Sequence, residues 1–183
     1  MIKKTFALTC ALGLVLCLPR PSLGCECDGR NAAEAFAAAD AVFVGKVVKT
    51  APAKEARVGM SNDSWNKYVI EAQSATLEVG ETFKGVTGGR VKVVSGVKSP
   101  KSCGVGFEEG ESYLVYAVRR RHLLREDAAG LPKESWTREM LLSAEADEQN
   151  AKLPPLATST CLRTAESSAR AEDLSEIRRI VKK

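Results

Sequence analysis

YVIEAQSATLEVGETF, residues 68–83, decides the fold class. Within it Ala75, Leu77 and Val79 alternate with Thr76, Glu78 and Gly80, the two-residue period of a strand with one face buried. GVTGGR, residues 85–90, follows as a glycine-rich turn, and VKVVSG, residues 91–96, reads as the next strand. ESYLVYAVRR, residues 111–120, is another. Upstream, AVFVGKVVKT, residues 41–50, is an almost unbroken apolar and β-branched run, which suits a strand covered on both faces or curled into a barrel. Strands at short intervals, without regular alternation with helices, predict a mainly β domain built as a small antiparallel barrel or sandwich.

Helices are expected at the margins. NAAEAFAAA, residues 31–39, is rich in the best helix former and is stopped by Asp40. Residues 167–181 carry Leu174, Ile177 and Val181 on one stripe, predicting a closing helix. Residues 51–66 hold Pro52, Gly59, Asn62 and Asp63 among charges and read as an exposed loop. Residues 121–155 read as an insertion, with a helix near Trp136–Leu142 packed on the barrel. LATST then supplies a short last strand.

Residues 1–24 have the form of an export signal. Lys3 and Lys4 precede a 13-residue apolar run, Phe6 to Leu18, and small Ser22 and Gly24 stand at the positions a signal peptidase reads. That run is shorter than the roughly 20 residues a spanning helix needs, so no transmembrane segment is expected. Removing this segment takes away Lys3, Lys4 and Arg20 and no acid, leaving 159 residues with 24 basic and 23 acidic side chains. The expectation is one secreted or periplasmic domain, residues 25–183, whose near-neutral charge gives no reason to expect a nucleic-acid partner. Ser22-Leu23-Gly24-Cys25 also resembles a lipoprotein cleavage box, with Ser22 where leucine is expected, so a lipid anchor on Cys25 is the competing fate.

Four cysteines then remain: Cys25, Cys27, Cys103 and Cys161. In an oxidising compartment they predict two disulfides with three possible connectivities, and a four-cysteine zinc site is the rival reading. Enzyme constellations are sparse. His122 is the only histidine, in the charged run RRRHLLR. GVTGGR lacks the Gly-Lys-Ser/Thr ending of a phosphate loop, GVGFEEG lacks its spacing, and both read as turns. Arg119 to Arg121 with Arg125 read as a solvated strand end, and Asn62-Asp63-Ser64 matches a glycosylation sequon. The chain is therefore read as a non-enzyme without a resident cofactor.

If Cys25 becomes the first residue, its α-amine and its own carbonyl oxygen can chelate a metal as a five-membered ring. The amine, with an ordinary pKa of about 7.7–8, loses its proton readily to a competing zinc ion. This start CEC, the segment AAADAVFVGKVV, FKG at 83–85, CGVGFEEGESYLVYA at 103–117 and TCLRT at 160–164 together resemble the amino-terminal domain of tissue inhibitors of metalloproteinases and the wider netrin-like module. The resemblance covers most of residues 25–50, 68–118 and 156–164.

It implies a five-stranded OB-type Greek-key barrel with flanking helices, with disulfides pairing Cys25 with Cys103 and Cys27 with Cys161. It further implies an inhibitor of secreted zinc metallopeptidases whose Cys25 amine and carbonyl bind the target's catalytic zinc. Glu26 would enter the main specificity pocket, followed by Cys27 and Asp28, while Lys101, Ser102 and Cys103 form the adjoining ridge. Two features depart from the family pattern. Glu26 is acidic where that pocket is usually apolar, and no cysteines remain for a third disulfide.

Overall fold

The computed structural model describes residues 27, 29–99 and 102–182. The export signal, Cys25, Glu26, Asp28 and Lys101 therefore lie outside the described residues. The chain is mainly β. Helix α1 (Ala32–Ala38) opens it, started by a capping box in which the Asn31 side chain accepts from the Glu34 amide and the Glu34 carboxylate accepts from the Asn31 amide, both at 2.9 Å. Strands β1 (Ala41–Ser61), β2 (Ser64–Lys84) and β3 (Gly89–Gly96) follow, then the short β4 (Lys98–Ser99) and β5 (Ser102–Cys103), and β6 (Ser112–Arg119). The expected insertion contains α2 (Glu126–Ala129) and α3 (Arg138–Asn150). β7 (Leu156–Ala157), β8 (Ala165–Glu166) and α4 (Ala171–Val181) complete the chain.

The main sheet runs β1-β2-β3-β7-β6-β8, and β1 pairs again with β6, so its first five strands form a closed ring. Every pairing in the sheet is antiparallel except β3 with β7. Register shifts in β1 at Val42/Phe43, Val44/Gly45 and Val47/Lys49 mark bulges; such bulges bend a strand and let it curl between two partners. The unbroken apolar run in β6 is still a two-residue alternation, with both faces covered. Tyr113, Val115 and Ala117 join Phe43, Leu77, Val93 and Phe107 in one core cluster within the ring. Leu114 and Tyr116 turn the other way, into a second cluster with Ala35 of α1, Ala39 at its end and Ile177 of α4.

The loop expected at 51–66 is instead the outer half of a long hairpin, with β1 and β2 in unbroken register from Thr50↔Ala75 to Ser61↔Ser64. Asn62 and Asp63, with φ of 49° and 58°, form its two-residue turn, a left-handed pair that matches strand twist and that these residue types tolerate. Pro52 is accommodated because its missing N–H lies on an edge that no strand among the described residues occupies. The amides of Thr50 and Ala56, of the same parity, go to the side chains of Glu109 and Asn150 there.

The inserted helix is present but lies on this outer hairpin. Lys67 donates to Glu145 at 2.8 Å, Arg138 donates to the Trp65 carbonyl at 3.1 Å, and the Asn150 amide both donates to and accepts from the Ala56 backbone at 2.8 Å. The closing helix begins at Ala171 after a 3-10 turn, Ser168–Arg170. No helix among the described residues is long and apolar enough to cross a membrane.

Candidate functional site

Cys27 is joined to Cys161 with an S–S distance of 2.02 Å and a Cα–Cα distance of 5.0 Å, closing a loop across 134 positions. In the chain-entropy view such a closure is worth at most about 4–5 kcal/mol. In this bonded state Cys27 and Cys161 are not thiolates and offer a four-cysteine zinc site no ligands. The Cys103 sulfur stands within 4.8 Å of both, and Thr160 Oγ1 donates to the Cys103 carbonyl at 3.1 Å. Cys27, Cys103 and Cys161 therefore converge, with Ser102 beside them in β5. The rest of the expected site, Cys25, Glu26, Asp28 and Lys101, lies outside the described residues, as does the expected Cys25–Cys103 bond.

The residues after Cys103 are pinned one by one. Gly104 N–H donates to Ser102 Oγ at 3.1 Å and Val105 N–H to Ser95 Oγ at 2.8 Å. Gln73 both accepts from the Phe107 amide and donates to its carbonyl, each at 3.1 Å. The Tyr113 hydroxyl donates to the Gly106 carbonyl and accepts from the Glu108 amide, each at 3.0 Å, while its ring meets Phe107 edge to face at 4.9 Å. Gly104 is required sterically, because a Cβ there would lie 1.9 Å from the Gly96 carbonyl oxygen. The CGVGF sequence thus sets the Cys103 backbone on the ring with little freedom.

TCLRT anchors the other side. Arg163, with φ of 69°, leaves a 3-10 turn at Thr160–Leu162 and makes a forked pair with Asp173 of α4 at 2.8 and 2.7 Å, while its remaining nitrogen donates to the Arg30 carbonyl at 2.8 Å. One guanidinium thus links α4 to the segment that follows Cys27. Burial alone would raise the Asp173 carboxyl, but its bonds to Arg163, together with Arg170 and the Tyr116 hydroxyl, outweigh that and hold it below its ordinary value. Burial also pushes the Tyr116 phenol, 3.4 Å from Asp173, far above its usual value. Thr164 and Thr158 close the back, both donating to the Tyr116 carbonyl, at 3.0 and 2.6 Å.

Sequence reasoning missed Arg163 and Asp173. The only signal available was a cation next to a predicted disulfide and an acid in the first turn of the predicted helix.

Beside Cys103 opens a cleft of about 490 Å³, lined by Ile70, Val97, Ser102, Gly104 and Arg57 among others. The remaining candidates stand elsewhere. His122 is largely exposed, its Nδ1 3.7 Å from Asp147. Arg120 donates to the Asn150 carbonyl, and Arg125 pairs with Asp127. The sequon residue Asn62 is at the exposed hairpin tip. No protein-family model matches the chain, and no curated protein matches it.

Proposed function

We propose that the chain is cut after Gly24 and that the resulting start inhibits secreted zinc metallopeptidases. In this reading the Cys25 amine and carbonyl ligate the target's catalytic zinc and displace the water that would attack the substrate. Glu26, Cys27 and Asp28 occupy the cleft on one side, and Lys101, Ser102 and Cys103 form the adjoining ridge. The closed strand order, with its one parallel pair, supports an OB-type Greek-key barrel of the netrin-like kind beneath the site.

The observation that carries the reading is the convergence of the Cys27–Cys161 bond on the Cys103 sulfur. It brings Cys27, two residues from the proposed chain start, beside the proposed ridge, which supports the proposed second bond, Cys25 to Cys103. A start held at two points loses less conformational entropy on entering a cleft. The direct test compares the protein beginning at Cys25 with a form carrying one extra alanine, against a panel of secreted zinc endopeptidases. The native start should inhibit at least one member, and the extended form should lose inhibition while keeping its unfolding curve. Equal potency of the two forms rejects the mechanism.

Glu26 favours a second reading, a non-inhibitory netrin-like binding module in which the cysteines are staples. A carboxylate buried without a partner costs several kcal/mol, so inhibition requires a target whose pocket holds a cation. Glu26→Ala should then strengthen inhibition of peptidases with apolar pockets. If neither form inhibits any peptidase in the panel, the binding-module reading stands.

A further inference from the structure

We propose that the Cys27, Cys103 and Cys161 sulfurs form a thiol–disulfide relay through which a small external thiol releases the chain start. The three sulfurs lie within 4.8 Å of one another, and Cys27 is the exposed member while Cys103 and Cys161 are half-buried. The inference rests on the Cys25–Cys103 bond proposed above.

An external thiolate attacks the sulfur of the exposed Cys27, forming a mixed disulfide and expelling the Cys161 thiolate. That thiolate attacks the neighbouring Cys103 sulfur, a Cys103–Cys161 bond forms, and the Cys25 sulfur leaves with the electron pair and takes up the proton of the external thiol. One small thiol is consumed and the number of disulfides is unchanged. Thr160 already holds its neighbour against the Cys103 backbone, so the two sulfurs, within 4.8 Å, have only the short distance to bonding range left to close. The consequence is selective: residues 25 and 27 both lose their tethers, while β5 and the Thr160–Leu162 turn become stapled to each other. Inhibition would then be switched off without unfolding.

The test treats the native protein with a few equivalents of reduced glutathione, quenches in acid, alkylates and maps the disulfides by mass spectrometry. The relay predicts glutathione on Cys27, alkylated Cys25 and a new Cys103–Cys161 peptide. Glutathione on Cys27 or Cys161 with Cys103 still joined to Cys25 overturns it. A map of untreated protein in which Cys103 is not joined to Cys25 counts against the Proposed-function pairing itself, and the two failures are thereby separate. In a second arm, Cys27→Ser with Cys161→Ser removes the relay, and release of Cys25 by glutathione should slow by at least about tenfold because a neighbouring thiolate is replaced by one from solution. An unchanged rate overturns the proposal.

Discussion

The ring and the outer half of the β1–β2 hairpin are made from the same two strands and are held by different physics. In the ring, Phe43, Leu77, Leu114 and Val115 are fully buried, and side-chain burial supplies the cohesion. Beyond Thr50 the strands bury little except Ala56 and Ala72, and polar contacts from α3 do the holding. Asn150 satisfies the edge of β1 as a neighbouring strand would, and Glu145 and Arg138 grip β2. A two-stranded ribbon is marginal alone in water, so the inserted helix is what keeps the strands paired far beyond the barrel. Stability should therefore be graded along β1 and β2, high at one end and low at the other.

The largest effect tests the ring. Leu114→Ala removes a fully buried side chain between β6 and the α1/α4 cluster and should cost about 2–5 kcal/mol in urea unfolding. A loss below about 1 kcal/mol would mean that the second cluster is not part of the cooperative unit.

Next comes the Arg163 clamp. Arg163→Met removes the main partner of a buried carboxylate and one hydrogen bond to the Arg30 carbonyl, for an expected loss of about 2–3 kcal/mol at pH 7. The sign with pH follows from the direction of the shift. Asp173 is held below its unfolded value, so the pair's contribution is complete above about pH 4 and fades as pH falls through the folded value. In the variant, burial opposed only by Arg170 and the Tyr116 hydroxyl raises the same carboxyl relative to the native protein, and acid relieves part of the penalty. The gap between the two proteins should thus narrow from pH 7 to pH 3, and a constant gap would show that Arg163 acts through packing alone.

The outer hairpin should answer differently. Asn150→Ala leaves the Ala56 amide and carbonyl without their partner, worth about 1–2 kcal/mol. Amide exchange should quicken at Ala56 and towards the tip while Leu77 and Val115 keep their protection. Equal acceleration everywhere would mean that hairpin and ring open as one unit.

This contrast also explains what the sequence disclosed. Residues 68–83 were legible because burial of one face imposes a two-residue period on them, and 91–96 and 111–120 because burial of both faces leaves short apolar, β-branched runs between turns. The 51–66 segment was not, since its partner surface is a helix some 80 residues later in the chain and its edge is satisfied by single side chains, which leave no period. Pro52, Asn62 and Asp63 look like loop formers, yet one sits on an unpaired edge and the other two form a single tight turn. In the candidate site the cysteines were visible by type and spacing. Arg163 was hidden because its ion pair crosses a left-handed turn to α4, and nothing local distinguishes it from a surface arginine.

The smallest effect lies at the tip itself. Asp63 holds φ of 58° in the second central position of the turn, a conformation that costs an L-residue roughly 1 kcal/mol and that glycine adopts freely. Asp63→Gly relieves that cost but adds disorder to the unfolded chain, so the net gain should be only about 0.5 kcal/mol. Because the hairpin end opens separately, the gain should appear as slower amide exchange near Gly59 and Asn66, with the urea midpoint of the whole domain almost unmoved. A shift of the global midpoint equal to the local one would show that the tip belongs to the same cooperative unit as the ring, and the grading drawn from burial would have to be abandoned.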